Sequence, residues 1–175
     1  SNVPYERFEW IEPLCGSIIV PVQFVNDKRI THFHLNDVNP YLIRFFRQLQ
    51  QLEQLDDVIA CVHTFILNQA NDSHFYYTLR DTINNSENMD NVQFIATYLF
   101  INRMCFNGVS RYNSKGHFNV PLGKTKPKWM DVFQKLKEVH EQLRYSYCPI
   151  TFHNESYESF IEKMLQRNTP SFIYC

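Results

Sequence analysis

Glycine is scarce in this chain of 175 residues: there are 4, where average usage is about 7%. Neither GxGxxG nor GxxxxGK[ST] occurs, so the glycine-rich phosphate cradles of dinucleotide and P-loop proteins get little support. Cysteine is unpaired in pattern. Its 5 copies are an odd number with no CxxC, which argues against a disulfide scaffold or a cysteine zinc site and for reduced thiols in a cytoplasmic-type compartment. No run of about 18 apolar residues is present, so no membrane span or membrane partner is expected, and no signal-peptide pattern opens the chain. The net charge of −1 gives no global basic field, so any nucleic-acid contact has to come from a local patch. HExxH and GxSxG are missing as well. His32 and His34 in HFH share a strand face, but without a nearby third ligand in the sequence they read as packed or surface histidines, and no metal is expected.

What remains is a globular pattern. Hydrophobic content of 44% and aromatic content of 15% suit one α/β domain, or one domain with an insertion. FEWIEPLCGSIIVPVQF reads as strand, tight turn and apolar segment, and Arg29 to Leu35 as a second strand ending in an acidic loop. Asn39 is placed to cap a helix with Pro40 at its first position, and Leu42, Phe45, Phe46, Leu49 and Leu52 form its apolar stripe. Val58 to Ile66 and Val92 to Cys105 read as apolar helical segments; Asn71 to Asn91 between them is polar and poorly patterned. Alternation around Gly116 suggests a hairpin. A helix is expected from about Lys128, with Trp129, Val132, Phe133, Leu136, Val139, His140 and Leu143 on one face. CPITF reads as a strand, Tyr157 to Leu165 as a helix with Phe160, Ile161, Met164 and Leu165 inward, and TPSFIYC as turn plus strand.

Two stretches could carry chemistry. IEPLCGS is a strand followed by a turn with Gly16, and Asp37 lies 21 residues later at the end of the next strand. In an open parallel sheet that is where a nucleotide-like ligand sits, with an acidic residue on ribose hydroxyls; a generic turn beside a solvent-facing carboxylate fits the same residues. From Asn102 to Lys126 the chain concentrates Gly108, Gly116 and Gly123 with a basic patch of Arg103, Arg111, Lys115, Lys124 and Lys126, continued by Lys128, and interleaved asparagines. Arg and Lys neutralise phosphate, Asn reads adenine edges, and an exposed Phe106 or Tyr112 could stack on bases. An ordinary charged hairpin is the alternative.

NRMCFNGVSRYNSKGHFNVPLGK closely resembles the signature of Dam-type DNA adenine-N6 methyltransferases, roughly NRxxFNGxxRxNxxGxFNxPxG. The match runs through Asn102, Arg103, Phe106, Asn107, Gly108, Arg111, Asn113, Gly116, Phe118, Asn119, Pro121 and Gly123. IEPLCGS resembles the family's EPFxGxG turn, LND followed by NP its ribose-binding acidic loop, and FIYC the strand that leads into the catalytic Asp-Pro-Pro-Tyr.

The resemblance implies an α/β fold: a Rossmann-like methyltransferase sheet with a helical and hairpin DNA-recognition insertion. Residues 3–53 would begin the cofactor-binding α/β domain, 54–127 would form the recognition subdomain, and 128–175 would return to the first domain. It implies S-adenosyl-L-methionine as cofactor, lined by Glu12, Pro13, Gly16, Ser17 and Asp37, and no metal. It implies double-stranded DNA as partner, met by Phe106, Asn107, Arg111, Asn113, Lys115, Pro121 and Lys124. Arg111 would sit on phosphate and Phe106, Asn113 and Pro121 near bases, with the target adenine flipped out of the stack. The catalytic motif would follow Cys175, so no catalytic residue can be named within these residues.

The family's upstream Trp-Ala-Gly-Gly-Lys segment is not found before Tyr5, its Phe is Leu14, and its last turn glycine is Ile18, a β-branched residue expected to obstruct a turn with positive φ. A catalytically inactive Dam-like relic that binds DNA or a protein partner is the alternative. The expected setting is the cytoplasm, of bacterial, phage or viral type.

Overall fold

The computed structural model describes residues 7–72, 74–124 and 126–175; the chain opening before Arg7, where the upstream segment was sought, lies outside them. The described residues divide into two compact units, Ser1–Gln51 with Glu138–Cys175, and Leu52–Lys137.

The first unit is built on four parallel strands, β1 (Phe8–Glu12), β2 (Ile30–Asn36), β3 (Ile150–His153) and β4 (Ser171–Ile173), in the order β3-β2-β1-β4. Parallel strands need crossovers, here α1 (Pro40–Gln51) and α6 (Tyr157–Leu165). The side chains of Asn39 and Pro40 set the start of α1 as the sequence suggests: Asn39 Oδ1 accepts from the amides of Tyr41 and Leu42 at 3.1 and 3.3 Å. Its buried stripe is Ile43, Phe45, Phe46 and Leu49; Leu42 lies at the margin and Ile43 takes its place in the core. One sheet face carries Trp10, Phe33 and Phe172, whose rings lie 5.0 to 5.9 Å from the Trp10 ring. On that face too, Phe46 of α1 stacks on Phe152 of β3. The other face carries Ile11, packed with Phe160 and Met164 of α6. Of the four residues expected inward on α6, Ile161 is half-buried and Leu165 is 67% exposed. A helix of 9 residues presents only about two turns to a sheet, and one i, i+4 pair fills that contact.

The second unit contains α2 (Asp56–Asn71), α3 (Phe75–Ile83) and α4 (Asn91–Met104), and α5 (Trp129–Arg144) begins in it and ends in the first unit. From Phe94 to Ile101, α4 is buried all round, as an apolar helix without a polar face must be. Phe65, Phe75 and Trp129 pack around Phe100 with ring centroids 5.5 to 6.3 Å away. The polar stretch between residues 71 and 91 hides α3, whose Tyr76, Leu79 and Ile83 are buried; three inward positions suffice when Tyr76 can satisfy its hydroxyl on the Val120 carbonyl at 2.9 Å. The expected hairpin reverses the chain at Gly116 but forms no strands, only the isolated antiparallel bridges Tyr112↔Phe118 and Cys105↔Leu122. Its residues bond to side chains instead, with Asn84 clasping both the amide and the carbonyl of Phe118. No described helix is long and apolar enough to cross a membrane.

Candidate cofactor edge and nucleic-acid interface

At the carboxyl ends of β1 and β2 the chain turns through Pro13 to Val20 and through Asp37 to Asn39. Sequence placed Gly16 and Asp37 in one site, and they meet: Asp37 Oδ2 accepts from the Gly16 amide at 3.1 Å, and its Oδ1 from the Asn39 amide at 2.8 Å. A carboxylate has about four acceptor positions, so two remain free on Asp37. Ser17 and Leu14 are exposed at this rim, Leu14 by 59%. Pro13 is buried, and its carbonyl accepts from Asn36 Nδ2 at 3.0 Å.

Asn36 is wholly buried and also exchanges bonds with the backbone of Glu155, so it ties the ends of β1, β2 and β3 together. It was not singled out from sequence; a polar residue ending an otherwise apolar buried strand is the signal that could have found it. Glu12 faces inward, not toward the rim. Its carboxylate accepts from Trp10 Nε1 at 3.0 Å, and burial pushes its pKa from 4.5 up to about 7, with the Trp10 bond acting against that rise. Burial likewise raises the Cys15 thiol, leaving it protonated and unreactive.

Ile18 was expected to block a positive-φ turn. Instead it adopts φ 53 and is wholly buried. The left-handed backbone costs about 1–2 kcal/mol, and burying an isoleucine side chain returns about 1.5–3 kcal/mol, so the side chain can hold a conformation usually left to glycine.

In the second unit, Phe106, Asn107, Gly108, Gly123, Lys124, Lys128 and Arg103 line a cavity of about 620 Å³. Phe106 is 49% exposed, and its amide donates to the Pro121 carbonyl at 2.9 Å. Gly123 is required by close approach: a Cβ there would lie 2.8 Å from the Cys105 carbonyl oxygen. Of the expected DNA-facing residues, Phe106, Asn107 and Lys124 therefore share one concave surface, with Pro121 beside it. Arg103, Lys128 and Asp131 belong to the same lining; Arg103 and Lys128 come from the basic patch read in the sequence, and Asp131 was not singled out there.

Arg111, Asn113 and Lys115 lie apart, on the reversal around Gly116, where φ is +76 and only glycine sits without strain. Much of the bonding capacity of Arg111 and Asn113 is spent within the loop. Arg111 donates through Nε to Asn119 Oδ1 at 2.8 Å and through a terminal nitrogen to the Asn119 carbonyl at 3.2 Å. Asn113 Oδ1 accepts from the amides of Lys115 and His117 at 2.9 and 3.0 Å, which uses both its acceptor positions. Its geometry is that of a turn-former, with only the amide nitrogen left to donate.

HFH also differs from its sequence reading. The parallel register Glu9↔His32 brings a carboxylate beside the pair, and one ligand atom each from Glu9, His32 and His34 lie within 4.8 Å of one another.

Comparison with known proteins gives this arrangement a lineage. The chain is 32% identical over 159 residues to the "Type II methyltransferase M.MjaIII" of Methanocaldococcus jannaschii, covering 82% of this chain and 53% of that protein. It is 40% identical over 92 residues to a "DNA N-6-adenine-methyltransferase" of Escherichia phage P1, covering 53% of this chain and 12% of that protein. It is 27% identical over 169 residues to the "DNA adenine methylase" of Escherichia coli, covering 94% of this chain and 54% of that protein. The chain thus spans about half the length, or less, of these relatives. The model of the D12 class N6 adenine-specific DNA methyltransferases matches residues 1–175, and the chain belongs to that family.

Proposed function

We propose that this chain supplies the cofactor edge and the recognition unit of an enzyme that methylates the exocyclic N6 of adenine in duplex DNA with S-adenosyl-L-methionine. The observation that carries the cofactor assignment is the Asp37 carboxylate held on the Gly16 amide at the carboxyl edge of a parallel sheet. β2 and β3 lie on one side of β1 and β4 on the other, so the strand order reverses beside the β1 turn, the place where open α/β sheets hold ligands.

The residues suit a methyl-donating nucleoside. Asp37 keeps two acceptor positions for ribose hydroxyls, Gly16 opens onto free space with no atom within 4 Å of where a Cβ would sit, and Leu14 offers an exposed apolar flank. When bound, the cofactor supplies an electrophilic methyl group on a sulfonium. The chain's own part is to hold the ribose through Asp37, to keep the turn in place through Asn36, and to leave Gly16 and Ser17 open to the ligand.

On the second unit, Arg103, Lys124 and Lys128 would neutralise phosphate while Phe106 stacks on or wedges beside a base. Arg111, Asn113 and Lys115 would act from the neighbouring reversal, Asn113 chiefly by shaping it. An intracellular setting is part of this reading.

The test is a calorimetric titration with S-adenosyl-L-methionine of the wild-type protein and of Asp37→Ala. Tight binding lowered tenfold or more by the substitution supports the assignment. Absence of binding, or binding indifferent to Asp37, would sink it, and duplex binding without cofactor binding would point to a recognition module alone.

A further inference from the structure

A buried polar cluster on the α6 side of the first unit's sheet takes no part in the proposed methyl transfer. Glu9 on β1, His32 and His34 on β2 and His153 on β3 point to the same face because parallel register pairs Glu9 with His32 and Asn36 with His153. Glu9 and His32 lie toward the amino ends of their strands, away from Gly16 and Asp37 at the carboxyl edge.

The polar atoms of this cluster are not all paired. Glu9 Oε2 lies 3.5 Å from His34 Nε2, His34 Nδ1 lies 3.2 Å from His153 Nε2, and His153 Nδ1 lies 3.6 Å from Glu155 Oε1. The first and last of these separations are longer than a hydrogen bond, and His34 Nε2 is a buried nitrogen without a hydrogen-bond partner, so it faces Glu9 Oε2 unsatisfied.

A cation between His34 Nε2 and Glu9 Oε2 gives that nitrogen a partner. Ligand bonds of about 2.0–2.2 Å in a tetrahedral site put ligand atoms about 3.4 Å apart, close to the 3.5 Å observed. The His32 ring stacks on His34 at 4.1 Å and 13°, so it has to rotate out of the stack for both imidazoles to reach one ion in their ring planes. Its Nε2 is oriented by the Thr151 hydroxyl at 2.8 Å, and all three ligand atoms already fall within 4.8 Å. His153 against His34 Nδ1 is the outer partner that fixes a metal-binding tautomer. Burial favours neutral imidazoles here, the form that ligates.

We infer that Glu9, His32 and His34 form a binding site for a divalent transition cation of the zinc class, taken up in exchange for the Arg167 guanidinium. Two imidazoles and a carboxylate select such a cation over magnesium or calcium. Arg167 is the group that has to yield. Glu9 Oε2 already accepts from Arg167 Nε and from Thr169 at 3.1 Å each, and Oε1 accepts from Arg167 at 2.9 Å. The Arg167 side chain is 40% exposed and can swing into solvent. The ion would bridge β1 and β2, a structural staple separate from the cofactor edge.

The experiment is equilibrium dialysis of chelator-stripped full chain against Zn²⁺, with Mg²⁺ in parallel, on wild type, His32→Gln, His34→Gln and Arg167→Gln, with circular dichroism to confirm folding. Expected are one Zn²⁺ per chain, no Mg²⁺ uptake, affinity lowered tenfold or more in both histidine variants, and affinity raised in Arg167→Gln. His32 is only half-buried, so His32→Gln reads the site even if His34→Gln fails to fold. Co²⁺ should bind without thiolate-to-metal absorption, which separates this site from the five free cysteines. No zinc uptake at micromolar concentrations, a His32→Gln variant that binds like wild type, no gain in Arg167→Gln, or a thiolate absorption band would each overturn the inference.

Discussion

Gly123→Ala tests whether the cavity wall is built as described. In an unobstructed loop with ordinary φ, alanine in place of glycine stabilises by about 0.4–1 kcal/mol, because it narrows the unfolded ensemble. Here the added Cβ would meet Cys105 O at 2.8 Å, Cys105 C at 3.1 Å and Met104 O at 3.1 Å. All three are backbone atoms at the end of α4, so no rotamer change relieves the clash. The segment carrying Gly123 must retreat, and with it go its amide bond to Met104 O at 2.8 Å and the neighbouring bond from the Phe106 amide to Pro121 O at 2.9 Å. Overpacking costs about 1–3 kcal/mol, and each strained hydrogen bond about 0.5–1.5 kcal/mol. After the unfolded-state gain is subtracted, a net loss of about 1–5 kcal/mol remains. For a chain of this size that lowers Tm by about 2–20 °C. Urea unfolding followed by fluorescence is a suitable assay, since Trp129 stacks on Phe100 of α4 in the same unit. Duplex affinity should fall as well, because Phe106 and Lys124 line the same cavity. An unchanged or raised midpoint would refute the close approach and the cavity wall with it.

Other perturbations separate the remaining contributions. Because burial raises the folded-state pKa of Glu12 from 4.5 to about 7, the folded protein holds a proton that the unfolded chain releases between those values. Stability from this group is present below about pH 4.5 and declines until about pH 7, by at most about 3 kcal/mol. Glu12→Gln should therefore melt higher than wild type at pH 8 and close to it at pH 5; equal melting at both would contradict the buried carboxyl. Arg111→Ala removes two bonds to Asn119. It should weaken duplex binding and flatten the salt dependence by about one phosphate contact, and an unchanged slope in a salt titration would remove Arg111 from the interface. Ile18→Gly relieves about 1–2 kcal/mol of backbone strain but empties a buried isoleucine site worth about 2–5 kcal/mol. Its Tm should fall, and a rise would show that strain dominates.

Much of the fold was legible because it is written in local chemistry. Asn39 and Pro40 mark the start of α1 through capping, which involves neighbours two and three positions apart. The apolar run of α4 needs only its own composition to announce burial. α3 escaped notice because Phe75, Tyr76, Leu79 and Ile83 carry its packing, and the polar residues between them mask the period. The strands expected around Gly116 gave way to isolated bridges because the chain there bonds to Asn84 and to its own asparagines, a competition that alternation of residue types does not record.

The candidate site divides along the same line. A 21-residue spacing between Gly16 and Asp37 is a property of one strand–crossover–strand unit, so their meeting could be read in advance. How each polar group spends its bonds could not. Arg111 and Asn113 have the side chains for phosphate and adenine, yet Asn119, Lys115 and His117 occupy much of their capacity inside the loop. Glu9 beside His32 depends on sheet register between strands more than 20 residues apart, and a slip of one residue would send the carboxylate to the opposite face. The sequence shows which side chains are present, but the pairing of strands determines which of them face one another, and a buried His34 Nε2 without a hydrogen-bond partner beside the Glu9 carboxylate is what points to a cation.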